Sequence, residues 1–550
     1  MNKKFSLVKV ILIALTVISS VKMIFFGWVI DEGYAFAIGN RLLQGDLLFR
    51  DMWELHQTSG YAIEFFLWVY HLIFGSAEGE IVFVRACGMA IHLMVSYALY
   101  RALRRHISEE KAFIAAVLYA NLSPKSISTP EFSNLLNQTS VLTLICLDKL
   151  YVEAVKKKRL MTALAAGVFL SLCVMSYPPS LIFAAFVFVY VFLKSKGRRK
   201  EFAAVSGVCL VSGILYMARI FSYMSAGELK ESIHMMLASD VTHGGGFSKI
   251  PGYGKDTLII LIFIAGFYGL SYLISGLLKK KELLVPLAAV MVFAWRNIHI
   301  LLRNDTYPVE YTFAGILIVL LIAFYGGIRE KLYSEEDKKV MALYAGGSGA
   351  VFLTVLVACN QSVFSSAKYL TVGFAVIFVM SVNAEVIKSA ERVLFLAGAV
   401  LLIFINIFQY GNPRNRLFSI FDAEARVPKG PGRWLILERM FANKARIDSE
   451  ELPEALAGAD YVMITGDAAA YLYTDARIGH GTTIMTENYG ESYARYWEAH
   501  PEKSPDIIAI ECYNGSPDAV VANSWLYEYL EGDFGASEVV NTTYYRLYIK

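Results

Sequence analysis

The chain has 550 residues, of which 56% are hydrophobic, and a formal net charge of +3 at pH 7. An ordinary soluble protein is roughly 45–50% apolar, and here the basic residues fall in short clusters between long apolar runs. This pattern excludes a soluble globular protein and predicts a polytopic α-helical membrane protein, with the basic clusters in cytoplasmic loops. Nucleic acid is not expected among its partners.

The first apolar run ends just before Asp31 and is long enough to cross a membrane. No small-residue cleavage site precedes Asp31, so we expect a retained first span near 9–30 with the N-terminus in the cytoplasm. Lys22 interrupts this span close to its outer end. We expect its ammonium to extend to the interface, as lysines at that depth usually do.

The later apolar runs predict about twelve further spans between the basic clusters. They lie near 80–103, 111–123, 137–153, 160–176, 179–193, 202–224, 257–278, 283–301, 310–328, 340–359, 369–387 and 393–410. An odd total of about thirteen places the rest of the chain outside the cytoplasm. The runs at 111–123 and 160–176 are short and precede polar or proline-rich sequence, which predicts a protein-walled cavity open to the outside.

One apolar run is not expected to cross. Residues 61–74, YAIEFFLWVYHLIF, contain Glu64 and His71 and fall short of the roughly 20 residues that a span needs. We expect a helix lying in the outer interface. Residues 31–79 then form one extracytoplasmic loop with amphipathic helices.

The C-terminal part of the chain changes character. The transmembrane domain is predicted at 1–410 and a small extracytoplasmic α/β domain at 411–550. Its strands are expected at 459–467, 482–486, 505–512 and 542–550, and its helices at 468–475, 490–499 and 517–530. Cys512 is the one cysteine of this part, so the domain cannot contain an internal disulfide.

The segment DEGYAFAIGNRLLQGDLLFRDMWELHQTSGY, residues 31–61, concentrates charge and aromatic side chains at the outer membrane surface. Asp31 and Glu32 emerge from the first span, and Asp51 returns toward the membrane. This arrangement predicts a carboxylate-lined pocket at the lipid boundary. The alternative is that the adjacent pair merely marks the water side of the first span.

This segment resembles the first extracytoplasmic loop of the GT-C glycosyltransferases that use polyprenyl-phosphate sugars, the protein O-mannosyltransferases and the lipid A aminoarabinose transferases. The matching positions are Asp31, Glu32, Tyr34, Leu42 to Gly45, Phe49 to Asp51, His56 and Tyr61. The proline pair that the families carry after the histidine is absent at Gln57 to Ser59. The resemblance implies a GT-C type fold with about thirteen transmembrane helices in the cell membrane.

The resemblance also implies an activity. A hexosyl or pentosyl group would move from a polyprenyl-phosphate donor to an extracytoplasmic acceptor hydroxyl on a glycan, lipid or protein, in one inverting displacement. Asp31 would accept the hydroxyl proton, and Glu32 and Asp51 would orient the acceptor. A phosphate leaving group needs no general acid, in contrast with glycoside hydrolysis. No metal or other cofactor is implied.

The remaining candidates concern binding. The leaving phosphate requires positive charge, for which the candidates are Arg85, Arg296 and Arg303, the last preferred because polar residues surround it. The expected donor or acceptor contacts are Tyr34, His56, Tyr61 and Glu131. A helix N-cap formed by Ser133 or Asn134 is the structural alternative at the last of these.

Two other functions stay open. A secondary transporter would place ionisable groups near the membrane midplane in internally repeated broken helices, whereas here the charges concentrate at one interface. A polymerase or ligase of lipid-linked glycans would differ in using a lipid diphosphate donor.

Overall fold

The computed structural model describes residues 3–124, 127–194, 199–238, 246–303, 308–359, 361–381, 396–402, 407–409, 419–483, 490–513, 516–517 and 524–550. Within these ranges the chain is helical as far as the last membrane segment and mixed α/β from residue 425 onwards. The predicted boundary at 410 falls between described segments, so the division into 1–410 and 411–550 stays a prediction.

Every predicted span overlaps a helix, and the last one does so at residues 396–402. The helices of this part are α1 (Lys3–Phe25), α2 (Ile30–Leu43), α3 (Gly60–Phe74), α4 (Glu80–Leu103), α5 (Glu109–Asn121), α6 (Phe132–Val152), α7 (Lys156–Ser176), α8 (Leu181–Lys194), α9 (Arg199–Phe221), α10 (Ala226–Ala238), α11 (Ile250–Leu277), α12 (Leu284–Arg303), α13 (Pro308–Arg329), α14 (Glu335–Ala358), α15 (Val363–Ser366) and α16 (Thr371–Met380).

In the described part of the chain, 8 helices are long and apolar enough to cross a membrane. They comprise Leu7–Phe25, Glu80–Leu103, Lys156–Ser176, Arg199–Phe221, Ile250–Leu277, Thr312–Arg329, Glu335–Ala358 and Val363–Met380. The protein is therefore a multi-pass helical membrane protein, as the composition predicted. The total of about thirteen spans stays a prediction.

One expectation about short spans is wrong. The run at 160–176 is the end of α7, which has 21 residues and begins at Lys156, long enough to cross the membrane. The basic cluster from Lys156 to Arg159 forms its first turn instead of the preceding loop. By contrast, α5 has 13 residues and is short, as predicted.

The first outer loop folds as two packed helices, α2 and α3. The 15-residue helix α3 covers the stretch that was predicted to be helical without crossing the membrane. At the contact between α2 and α3, a Cβ added to Gly39 would lie 2.6 Å from Ile63 Cγ2, and one added to Gly60 would lie 2.4 Å from Ile38 Cγ2. Glycine at these positions permits the two backbones to approach closely.

The described residues of the C-terminal domain form two sheets. Its strands are β1 (Ala425–Arg426), β2 (Ile436–Leu437), β3 (Tyr461–Ile464), β4 (Arg477–Ile478), β5 (Ile507–Tyr513), β6 (Ser516–Pro517), β7 (Glu538–Asn541) and β8 (Tyr545–Ile549), and its helices are α17 (Arg439–Ala455), α18 (Glu491–Ala499) and α19 (Trp525–Glu531). The larger sheet has the order β4-β3-β5-β8-β7, with β6 paired to β5. β3 pairs parallel with β4 and β5, whereas β8 pairs antiparallel with β5 and β7.

Most of the predicted elements of this domain are present. The strands expected at 459–467, 505–512 and 542–550 are confirmed as β3, β5 and β8. The helix expected at 468–475 is instead a 3-10 helix, Ala468–Tyr473. The prediction of a strand at 482–486 is wrong for residues 482 and 483, which are irregular. Residues 484–486 lie outside the described residues.

The C-terminal domain packs directly on the first outer loop. Ala37 of α2 is buried in the same apolar cluster as Val462 of β3 and Leu547 of β8. The indole of Trp28, in the turn between α1 and α2, donates a hydrogen bond of 2.6 Å to Asp467 Oδ2. The segment that carries Asp31 and Glu32 is therefore enclosed between the membrane helices and this domain.

Candidate active site

Glu32 is fully buried at the start of α2, and both of its carboxylate oxygens accept hydrogen bonds. Arg85 of α4 donates from Nε to Oε1 over 2.7 Å and from Nη2 to Oε2 over 2.5 Å, and the Thr129 hydroxyl also donates to Oε1. A bidentate, charge-assisted pair of this kind fixes orientation as well as charge. Arg85 further donates to the carbonyl oxygens of Ile24 and Gly27, so it closes the turn between α1 and α2.

Asp31 has a different environment from its neighbour. It is half-buried in the first turn of α2, where the helix N-terminus favours a negative charge. Its carboxylate interacts electrostatically with Tyr369, as does the carboxylate of Glu131, and the Tyr369 hydroxyl lies 2.7 Å from Ser133 Oγ. Tyr369 therefore interacts with both the predicted base and Glu131, which the sequence placed in a separate outer loop.

Glu131 caps helix α6. Its two carboxylate oxygens accept hydrogen bonds from the backbone N–H groups of Ser133, at 3.0 Å, and Asn134, at 2.9 Å. The predicted N-cap at Ser133 or Asn134 is thus displaced to Glu131 itself, because a carboxylate satisfies two exposed backbone donors at once. Asn134 Nδ2 in turn donates to the Thr129 carbonyl over 2.8 Å. The capped end of α6 therefore positions the segment that contains Thr129, whose hydroxyl donates to Glu32.

The imidazole ring of His56, in the first outer loop, packs against the first residue of α6, Phe132, in a group of nearly parallel rings. Its ring centroid is 4.0 Å from that of Phe132 and 5.0 Å from that of Tyr177, at interplanar angles of 14° and 22°. The backbone of His56 has a φ of 61°, an uncommon conformation for a residue other than glycine and one that concentrates at functional sites. This geometry places His56 beside the capped end of α6, near Glu131.

Asp51 belongs to a second polar cluster, between the first outer loop and the C-terminal domain. Its Oδ1 lies 3.0 Å from Lys503 Nζ, and its Oδ2 accepts a hydrogen bond from the Leu47 N–H over 2.7 Å. The Lys503 ammonium also lies 2.7 Å from Asp46. Although burial raises the pKa of Asp46, the charges of Arg41 and Lys503 hold it below its usual value. Asp51 is thereby assigned to an interdomain contact.

Arg41 is the centre of this interdomain cluster and has no exposed surface. Its guanidinium lies 2.7 Å from Asp46 and 3.2 Å from Glu54, and Glu54 accepts a 2.9 Å hydrogen bond from the Thr483 N–H of the C-terminal domain. The sequence analysis gave neither Arg41 nor Glu54 a role in the candidate site. The signal was present, since both lie within the 31–61 segment, but their partners in the distant tail could not be paired with them.

The three candidate arginines have separate environments. Arg85 pairs with Glu32 and donates to backbone carbonyls, and its predicted contact with the phosphate stays a prediction. Arg296 is buried and donates from Nη2 to Gln409 Oε1 over 2.8 Å. Arg303 ends α12, and its side chain lies outside the described residues.

Lys22 does not extend to the interface, and that expectation is wrong. Its side chain is 1% exposed and donates a 2.8 Å hydrogen bond to the Gln409 carbonyl oxygen. The helix α1 packs this face against the protein, so the ammonium finds its acceptor inside. The two remaining candidates lie elsewhere: Tyr34 packs on the apolar cluster of the C-terminal domain, and Tyr61 is 40% exposed on α3.

Comparison with known proteins bears on the resemblance to the GT-C glycosyltransferases. A family model described as Dolichyl-phosphate-mannose-protein mannosyltransferase matches residues 59–226. The matched stretch includes Arg85, Thr129 and Glu131 and begins after Asp31 and Glu32. The match confirms the predicted resemblance to the GT-C glycosyltransferases. No curated protein sequence matches the chain.

Two crystal structures of the oligosaccharyltransferase of Archaeoglobus fulgidus align with this chain. The apo form aligns at 15% identity and a TM-score of 0.45, over 91% of this chain and 69% of the other. The form tethered through a disulfide bond to an acceptor peptide containing the NVT sequon aligns at 12% identity and a TM-score of 0.41, over 91% and 68%.

Proposed function

We propose that this protein transfers a sugar from a polyprenyl-phosphate carrier to a hydroxyl group of an acceptor on the outer side of the cell membrane. The observation that carries the proposal is the unequal environment of two adjacent carboxylates. Glu32 is fully buried and bound through both oxygens, whereas Asp31 is half-buried beside Tyr369. Asp31 is the one of the two with surface that a substrate can touch.

The reaction requires one base. Asp31 accepts the proton of the acceptor hydroxyl while the hydroxyl oxygen attacks the anomeric carbon of the sugar. The bond between that carbon and the phosphate oxygen breaks, and the phosphate leaves with the electron pair. Attack opposite the leaving group inverts the configuration of the anomeric carbon. Since the phosphate is already a good leaving group, no second carboxylic acid is needed, unlike in glycoside hydrolysis.

The neighbouring residues position this base. Arg85 and Thr129 hold Glu32 in place, and Glu32 is adjacent to Asp31 in the first turn of α2, so the pair fixes the direction of that turn. Tyr369 interacts electrostatically with Asp31 and with Glu131, and its hydroxyl contacts Ser133. A reacting group held by buried and hydrogen-bonded neighbours keeps the geometry that the transition state needs. Glu32 is thus a positioning residue, and its predicted contact with the acceptor is not part of the proposal.

The family match supports a lipid-phosphate donor, because the family is named for the use of dolichyl-phosphate-mannose. The long apolar helices of the membrane domain supply surface for the carrier tail. The reaction needs a binding site for lipid and acceptor on the outer side, which agrees with the position of Asp31 just beyond the end of α1.

The proposal is tested with the purified full-length protein in detergent. Radiolabelled polyprenyl-phosphate sugars and, in a parallel arm, lipid-diphosphate sugars are incubated with a membrane extract as the acceptor. We expect label transfer from a polyprenyl-phosphate sugar, with an anomeric configuration in the product opposite to that of the donor by NMR. Transfer from diphosphate donors alone would instead identify a polymerase or ligase, and retention of configuration would exclude the single displacement.

A further inference from the structure

The turn that carries the proposed base is held from two sides. From the membrane domain, Arg85 pairs with Glu32. From the C-terminal domain, Asp467 reaches the same turn from the loop that follows β3. Its Oδ2 accepts a 2.6 Å hydrogen bond from the indole N–H of Trp28, just before α2. A hydrogen bond to a carboxylate is stronger than one between neutral groups, so this contact ties the entry of α2 to the C-terminal domain.

Gly33 shows how closely Asp467 approaches α2 itself. A Cβ added to Gly33 would lie 2.5 Å from Asp467 Oδ1, 3.1 Å from the Ala469 nitrogen and 3.4 Å from Trp28 Cζ2. Any side chain at position 33 would therefore displace the carboxylate. Glycine lets the backbone of α2 meet Asp467 directly, next to Glu32 and two residues after Asp31.

The Asp467 carboxylate is itself fixed within the C-terminal domain. Its Oδ1 accepts a 3.0 Å hydrogen bond from the Ala469 N–H and caps the 3-10 helix that follows. The preceding residue, Gly466, has a φ of 91°, which glycine adopts readily, and an added Cβ there would collide with the Glu511 carboxylate. The loop after β3 therefore presents Asp467 to α2 in one orientation.

Asp467 and the substrate approach the turn from different directions. Successive residues of an α-helix are about 100° apart around its axis, so Asp31 and Gly33 face nearly opposite sides of α2. Asp31 interacts with Tyr369 of the membrane domain, whereas Gly33 meets the C-terminal domain. Any influence of Asp467 on the base is therefore exerted through the position of the turn.

We propose that Asp467 is a positioning residue for sugar transfer, which holds Trp28 and the backbone at Gly33 so that Asp31 is oriented to accept the proton. This inference rests on the function proposed above and makes the C-terminal domain part of the catalytic apparatus. Small displacements of a reacting group lower the rate by large factors, so the effect falls on kcat and spares the KM. Residues 59–226, which the family model matches, include neither Trp28 nor Asp467.

Steady-state sugar transfer by the full-length Asp467→Ala protein tests the inference. The matched control is Asp506→Ala, because Asp506 also accepts two hydrogen bonds, from the Asp460 and Tyr461 N–H groups, and both lie within the C-terminal domain. We expect kcat to fall at least tenfold for Asp467→Ala with the donor KM within threefold, and to stay within twofold for Asp506→Ala. A folded Asp467→Ala protein with the wild-type kcat overturns the inference, as does an equal loss in both variants.

Gly33→Ala tests the same contact from the side of α2. In the wild-type background the new methyl group meets the Asp467 carboxylate, and we expect kcat to fall at least tenfold. In the Asp467→Ala background the carboxylate is absent, so the same change should lower kcat less than threefold further. Equal effects in the two backgrounds would show that the residues are not coupled and would overturn the inference.

A third variant covers the case in which Asp467→Ala does not fold. Trp28→Phe keeps an aromatic ring and removes the indole donor that binds Asp467 Oδ2. We expect kcat to fall at least threefold at an unchanged donor KM. A folded Trp28→Phe protein with the wild-type kcat overturns the inference.

Hydrogen exchange of the backbone amides is a readout that needs no substrate. We expect the first turn of α2 to exchange at least tenfold faster in Asp467→Ala, or in Trp28→Phe, than in Asp506→Ala. If exchange is unchanged while the wild type transfers sugar, this inference alone fails. If exchange rises as expected but the wild type transfers no sugar from any donor, the proposed function fails and the contact between Asp467 and the turn stands.

Discussion

Arg85 and Glu32 form a bidentate ion pair with no exposed surface, in which two guanidinium nitrogens reach the two carboxylate oxygens at 2.7 and 2.5 Å. This pair separates the roles of two neighbouring acidic residues. Glu32 is bound on both oxygens and orients the first turn of α2, whereas Asp31 in the same turn is half-buried and is the proposed base. The two adjacent acidic residues therefore differ in role: Glu32 is the positioning residue and Asp31 is the proposed catalytic base.

Removal of Arg85 should destabilise the protein strongly. Arg85→Met leaves the Glu32 charge buried without its partner, and breaking a buried pair in this way costs about 3–5 kcal/mol. The control is Arg104→Met at the other end of α4, where Arg104 lies 3.7 Å from Glu109 and both side chains are 45% exposed; exposed pairs contribute about 0–1 kcal/mol. Denaturation monitored in detergent measures both. Equal stability of the two variants would contradict the assigned role of Arg85.

Gly88→Ala should disturb the support of Glu32 from a distance. A Cβ at Gly88 would lie 1.9 Å from the Ser128 carbonyl oxygen and 3.0 Å from Pro130 Cδ, so the segment that carries Thr129 must move. Overpacking of this kind costs about 1–3 kcal/mol, and we expect sugar transfer to fall with it.

The control for Gly88→Ala is Gly207→Ala in α9, where the added Cβ meets nothing within 4 Å. Alanine there should raise helix stability by about 0.5–1 kcal/mol. A Gly88→Ala protein as stable and as active as Gly207→Ala would show that the close contact between α4 and the 128–130 segment does not support the site.

The interdomain cluster should be required for stability. Lys503→Met removes the ammonium that lies 2.7 Å from Asp46 and 3.0 Å from Asp51, and we expect a loss of about 3 kcal/mol because both carboxylates are nearly buried. Activity should fall too, since the same residues tie the first outer loop to the C-terminal domain. Lys429→Met, which breaks the exposed pair with Glu450, is the control and should cost less than about 1 kcal/mol. A Lys503→Met protein as stable as that control would refute the interdomain role.

The C-terminal domain should lose stability in acid through His480. Burial, with the nearby charge of Arg41, lowers the pKa of His480 to about 3, whereas an unfolded histidine has a pKa of about 6.5. Between these values the unfolded chain binds a proton that the folded chain does not, so stability falls as the pH drops below about 6.5, by up to about 1.4 kcal/mol per pH unit.

Melting curves of the full-length protein between pH 5 and pH 7.5 measure this slope. His480→Gln removes the titrating group, so its melting temperature should fall less steeply with acid than that of the wild type. Parallel pH profiles for the two proteins would show that another group accounts for the acid sensitivity.

The sequence predicted what depends on local pattern. Long apolar runs located the membrane helices, and the strands β3, β5 and β8 followed from short apolar stretches between turn residues. The resemblance of the 31–61 segment also pointed to Asp31 and Glu32 as the candidate site, and that assignment stays a prediction. These features need only neighbours in the chain.

Features that depend on distant partners were missed. Lys22 looked like an interfacial lysine, because its acceptor on Gln409 lies 387 residues away. Nor did the sequence indicate that Asp51 pairs with Lys503 or that Arg85 pairs with Glu32. α17 was not expected, since its sequence RMFANKARIDSEELPEA is polar and contains Pro453. The sequence shows that a side chain is charged, but it does not show which distant residue will pair with that side chain in the folded protein.

The most direct test of the central claim compares the wild type with Asp31→Asn in single-turnover transfer from the donor that the panel identifies, together with polyprenyl phosphate binding. Asparagine keeps the shape of the side chain but cannot accept the proton, so the transfer rate should fall about 100- to 10,000-fold. The affinity for polyprenyl phosphate should not change. The control variant Asp533→Asn, at an exposed position of the C-terminal domain, should transfer sugar at the wild-type rate. If Asp31→Asn transfers sugar as fast as the wild type, Asp31 is not the base and the account is wrong.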